Sequence, residues 1–111
     1  MIDEIIKKAL EHIASVVSDF NYGCEETNIV YQYNSRGELF GDDCPGAEVY
    51  SVLVHLNALP GVDLSAEKKE IKRSLFRAGF SYPTCINASD QDSQHYVFES
   101  EYAVELEDKD L

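Results

Sequence analysis

Near the start of the chain, Ile2, Ile5, Ile6, Ala9, Leu10, Ile13, Val16, Val17 and Phe20 recur at intervals of three and four. Lys7, Lys8, Glu11, Ser15 and Ser18 fill the opposite side, so the pattern predicts an amphipathic helix over 2–20. Asp3 and Glu4 in the first turn suit the helix dipole, and Asn21-Tyr22-Gly23 supplies a stop. The repeat then shortens to two. Ile29, Tyr31 and Tyr33 alternate with Val30 and Gln32, which predicts a short strand over 28–33. The most apolar run is Glu48–Asn57. Read as a strand, it puts Tyr50, Val52, Val54 and Leu56 on one face and Val49, Ser51, Leu53, His55 and Asn57 on the other. The first face must be covered. The second, being mixed, suits water or a subunit contact.

Helical spacing returns over 65–78, where Ile71, Leu75 and Ala78 form a narrow apolar stripe with Phe76 at its edge. Ser65 is the expected N-cap. Ala78-Gly79-Phe80 predicts a Schellman ending, with Gly79 left-handed and Phe80 packed back near Leu75. A short strand over 82–86 carries Pro83, which marks an edge or a strand start. The last strand, Gln94–Leu106, alternates cleanly. Tyr96, Phe98, Ser100, Tyr102, Val104 and Leu106 share one face; His95, Val97, Glu99, Glu101, Ala103 and Glu105 share the other. Glutamate at three of those outer positions predicts a face that meets water or a cationic partner.

Between these elements the turn residues cluster. Residues 34–47, NSRGELFGDDCPGA, read as a loop, and Leu39 and Phe40 in its middle make it a candidate assembly loop. Leu59–Asp63 and Ala88–Ser93 are turns, and 107–111 is a charged tail. The order α-β-β-α-β-β predicts one α+β domain over 1–111: a two-layer sandwich with an antiparallel four-stranded sheet and both helices on one side.

With 111 residues the chain has the length of one domain with a modest core. Its 21 acidic and nine basic residues give a formal charge of −12. That balance argues against nucleic acid and against an anionic membrane surface, both of which would repel it. No run approaches the roughly 18 apolar residues of a membrane span. The first residues mix acids and lysines among the apolar positions, unlike a secretory leader. Cys24, Cys44 and Cys85 are therefore expected as free thiols of a cytosolic protein.

Against this background the predicted helix over 65–78 stands out. Lys68, Lys69, Lys72, Arg73 and Arg77 place five of the nine basic residues on one predicted helix, against Glu67 and Glu70. The residues that carry chemistry elsewhere are not so grouped. Cys24, Cys44, Cys85, His12, His55 and His95 show no paired spacing of a metal site. A cysteine nucleophile served by His55 or His95 would need an orienting group and an oxyanion site, and nothing local marks either. Asp90-Gln91-Asp92-Ser93 lacks the glycine and glutamate of a calcium loop. There is no phosphate-cradling glycine motif. The expectation is a non-enzymatic protein with no catalytic residues, no metal and no cofactor.

The run IKRSLFRAGFSYP, the polar turn ASDQDS and the strand HYVFESEYAVELED resemble small tail proteins of bacteriophages and prophages. The element order resembles that of their tail terminator or tail completion (tail-to-head joining) proteins. The residue match covers roughly the last 40 positions, and element order covers the rest. The resemblance implies a structural protein that forms a six-fold ring at the head-proximal end of the tail, made in the host cytoplasm and carried in the virion. Its partners would be other copies of itself, the tail tube and the head connector. A closed ring needs two different patches of one subunit to meet. The cationic Lys69, Lys72, Arg73 and Arg77 and the acidic Glu99, Glu101 and Glu105 are two candidate patches of opposite sign. The alternative is a small acidic binding module, an inhibitor or a DNA mimic, suggested by the charge alone.

Overall fold

The computed structural model describes residues 2–18, 27–38 and 46–106. The order is α1 (Ile2–Leu10), β1 (Ser15–Ser18), β2 (Asn28–Glu38), β3 (Ala47–Ala58), α2 (Ser65–Arg77), β4 (Thr84–Asn87) and β5 (Gln94–Glu105). The fold is α+β, as expected, with two helices. The sheet has five strands rather than four, ordered β1-β2-β3-β5-β4, and is mixed rather than antiparallel because β1 runs parallel to β2.

The first of two corrections accounts for the difference. The first helix ends at Leu10 instead of continuing to 20. Beyond it, Ser15-Val16-Val17-Ser18 pairs with Asn28–Tyr31. Adjacent β-branched valines between serines favour extended backbone, and a repeat of three and four over so short a run also contains a strand's alternation. The expected stop at residues 21–23 lies outside the described residues. The second correction concerns the loop at 34–47. Asn34–Glu38 extends β2 and pairs with Ala47–Ser51, so turn-forming side chains are overridden by the ladder that β3 offers. Leu39 and Phe40 lie outside the described residues.

β3 is central, as its apolar face predicts: it pairs with β2 on one side and β5 on the other. Register sets Ile29, Tyr31 and Tyr33 beside Leu56, Val54 and Val52, and these beside Tyr96, Phe98 and Ser100. Both helices cover this face. Ile2, Ile6 and Leu10 of α1 and Ile71 and Leu75 of α2 close the core over Ile29, Tyr31, Val52, Val54, Leu56, Ala58 and Phe98. Asp3 ties α1 to β2 by accepting hydrogen bonds from Tyr31 and Tyr33 Oη, each 2.8 Å. These bonds lower the Asp3 pKa, Tyr31 first.

The N-cap of α2 is Leu64, which offers no side-chain cap, rather than the expected Ser65. Ser65 opens the helix, and Oδ1 of Asp63 accepts from its amide at 3.0 Å and from its hydroxyl at 2.7 Å. At the other end the Schellman motif forms as predicted. The Phe80 amide donates to Leu75 O at 3.0 Å, the Gly79 amide to Phe76 O at 3.2 Å, and Gly79 has φ 103°. Phe80 is thereby turned into the core. Pro83 directly precedes β4, an edge strand. The molecule measures 53 × 24 × 21 Å. Strands of 11 and 12 residues span about 40 Å, whereas the helices of nine and 13 span about 14 and 20 Å, so the sheet outruns its cover.

Candidate functional surfaces

The second face of the sheet carries no described helix. Gln32, Asn34 and Arg36 from β2 and Glu99, Glu101, Ala103 and Glu105 from β5 are exposed on it; Ser51, Leu53, His55 and Val97 are half-buried. An open depression of about 430 Å³ lies in this face, lined in part by Gln32, Asn34, Ser51, Leu53, Glu99 and Glu101. The three glutamates expected to share a face do so. One of them is partly neutralised within the chain: Glu101 Oε2 accepts from Arg36 Nη2 at 3.0 Å. Arg36 also donates through Nε to Glu38 at 2.7 Å and through Nη1 to Ser51 Oγ at 3.0 Å. Both carboxylates raise the Arg36 pKa, Glu38 more than Glu101. Among the described residues, Glu99 and Glu105 have no ion partner.

Lys69, Lys72, Arg73 and Arg77 lie on the opposite layer, on α2, and all but the half-buried Lys72 are exposed. Arg73 faces Glu70 at 3.7 Å on the same helix. Glu70 also binds His12 at 3.3 Å, joining the end of the α1 region to α2; that contact is the leading cause of its lowered pKa. Lys68 stands over the Tyr96 ring at 4.2 Å. With Lys69, Lys72, Tyr82 and Asn87 it lines a groove between α2 and β4. The fold therefore does not bring the two expected patches together within one subunit. It sets them on different layers, both facing outward.

Three features of these surfaces were not anticipated. Arg36 falls in the stretch that reads as a loop, so the sequence gives no sign of its place beside Glu101. Phe76 and Tyr82 pair edge to face, with centroids 5.8 Å apart. Their sequence signal is weak: Phe76 lies at the edge of the apolar stripe, and Tyr82 falls in the strand expected over 82–86, which starts only at Thr84. Finally, His55 Nδ1 and His95 Nε2 are 2.8 Å apart, with the rings stacked at 5.0 Å. His55 Nε2 is buried with no partner among the described residues. Burial, and then the neighbouring His95, lowers the His55 pKa.

No group of three or more metal-ligating side chains occurs among the described residues. Cys85 is a free thiol, half-buried. Cys24 and Cys44 lie outside the described residues. Among the described residues no helix is long and apolar enough to cross a membrane. Compared with models of known protein families and with curated proteins, the chain gives no match.

Proposed function

We propose that this chain is a structural, ring-forming subunit of a bacteriophage or prophage tail, of the tail terminator or completion type. The carrying observation is the placement of two exposed patches of opposite sign on the two layers of the sandwich: Arg73 and Arg77 with Lys69 and Lys72 on α2, Glu99 and Glu105 with Glu101 on the open sheet face. Patches so placed suit a head-to-tail contact, in which the helix layer of one copy meets the sheet of the next. The order of α2, β4 and β5 supports the reading, since it is the stretch that resembles tail proteins.

In this role the protein needs no catalytic group. Each subunit contributes shape and charge. A ring whose remaining surface is acidic lets DNA pass without adhering, because phosphates are repelled. The tail tube and the head connector are the partners of the two ring surfaces.

The test is absolute mass by size-exclusion chromatography with light scattering, over a range of concentration and salt, with negative-stain images of the largest species. The expected result is a closed oligomer of about six copies that loosens as salt rises. Reversing Arg73 and Arg77 to Glu is expected to weaken association, and an unchanged association constant for that variant would sink the patch assignment. The acidic binding-module reading keeps one specific support, the row of glutamates on an open face. It predicts a monomer at every concentration that captures a basic protein.

A further inference from the structure

Phe76 and Tyr82 are 59% and 63% exposed, although they are large rings in contact with each other. Single exposed apolar side chains are ordinary, but two rings held together in water form a patch that association would bury. Lys72 and Arg73 sit one helical turn before Phe76, and Arg77 follows it. Aromatic rings beside arginine at the centre of a surface are the composition of interface hot spots.

We infer that Phe76 and Tyr82 anchor a heterologous contact with a second copy of this chain, seated in its open sheet depression over Leu53, between Glu99 and Glu101. The inference rests on the ring-subunit reading and names what holds the ring together. Charge selects the occupant. An isologous contact through the same patch would set the cations of α2 against their own copies, which is repulsive. The depression on the sheet offers an apolar floor at Leu53, with the carboxylate of Glu99, which has no ion partner among the described residues, and that of Glu101, which Arg36 already holds, beside it. Its volume of about 430 Å³ leaves room for an aromatic side chain. Tyr82 stands at the rim of that depression as well as on the groove beside α2, so the two surfaces of one subunit share the β4 edge. Phe76 belongs to the helix side alone, which makes it the clean residue to change.

The experiment compares the wild-type chain with Phe76→Ala and with Glu99→Lys/Glu101→Lys by light scattering, with circular dichroism to show that each remains folded. Phe76→Ala is expected to lower the association constant about ten-fold or more. Glu99→Lys/Glu101→Lys should do the same from the other side. Mixed together, the two variants should recover one contact and stop at dimers, because each pair retains one intact anchor and one intact depression. Undiminished association of Phe76→Ala overturns the anchor while leaving the ring reading in place. A mixture that forms no dimers overturns the pairing of these two surfaces. A wild-type chain that is monomeric at every concentration overturns both the anchor and the ring.

Discussion

On the covered face of the sheet, Ile29, Tyr31, Val54, Leu56 and Phe98 lie fully or almost fully buried beneath α1 and α2. One residue along each strand, the other face carries Gln32, Asn34, Ser51, Glu99 and Glu101. The backbone hydrogen bonds are the same for both, because they belong to the same strands. What differs is who supplies the covering atoms. The chain covers one face with its own helices, and that face fixes the fold. On the other it leaves a charged rim around Leu53 and Val97, one of the two surfaces of the contact proposed above. Stability and association should therefore respond to substitution on different faces.

The largest effect tests that division directly. Phe98 is 0% exposed at the centre of the covered face. Phe98→Ala should cost about 3–5 kcal/mol, a lost transfer energy plus the cavity it leaves. Leu53→Ala, on the open face, should cost less than about 1 kcal/mol in the isolated subunit. Denaturant unfolding at low protein concentration measures both. Equal losses would mean that the open face is packed as a core in its own right, and the comparison would collapse.

A smaller effect separates two glycines. Both have positive φ, 84° at Gly61 and 103° at Gly79. A Cβ on Gly79 would meet Tyr102 Cε2 at 3.2 Å, whereas one on Gly61 would meet nothing within 4 Å. Gly79→Ala should thus cost more than the roughly 1 kcal/mol that a left-handed alanine costs by itself, and Gly61→Ala about that amount. Gly79 belongs to the covered layer through Tyr102 and Phe80, whose rings lie 4.8 Å apart. Equal losses for the two variants would show that Tyr102 yields freely and that this end of the covered layer is loosely packed.

The covered face was legible in the sequence because burial imposes period. Tyr50, Val52, Val54 and Leu56 announced it, and the Schellman ending at Gly79 could be read from three residues. The failures fall where a short segment borrows its structure from a neighbour. Val16 and Val17 fit a helix repeat as well as a strand, and only the free edge of β2 decides between them. Asn34, Ser35 and Gly37 look like a turn until β3 pairs with them. The open face was half legible: alternation placed Glu99, Glu101 and Glu105 together, but long-range partners such as Arg36 with Glu101, or His55 with His95, depend on register between strands. Exposed rings such as Phe76 and Tyr82 leave no pattern, since what they pack against is each other.

The smallest effect comes from a half-buried histidine pair on the open face. His55 and His95 share one proton position between Nδ1 and Nε2, 2.8 Å apart. Around them stand the uncharged Val30 and Asn28 of β2, Asn57 of β3 and Val97 of β5, and beside His95 the carboxylate of Asp90 from the turn before β5. A protonated His55 would bear an N–H at its buried Nε2, where the described residues offer no acceptor. Burial first and His95 second therefore lower its pKa below the ordinary value of 6.5. A histidine whose pKa is lowered on folding takes up its proton more readily in the unfolded chain. Its contribution to stability is present above the unfolded value of about 6.5 and is lost as pH falls below it toward the folded value. Asp3, on the covered side, follows the corresponding rule for a carboxylate, and its contribution persists until pH falls below about 3.8. Unfolding midpoints between pH 7.5 and 5 should fall in the wild type and flatten in His55→Gln. Parallel curves would mean that water reaches Nε2 of His55, and that the open face holds no group whose protonation opposes folding.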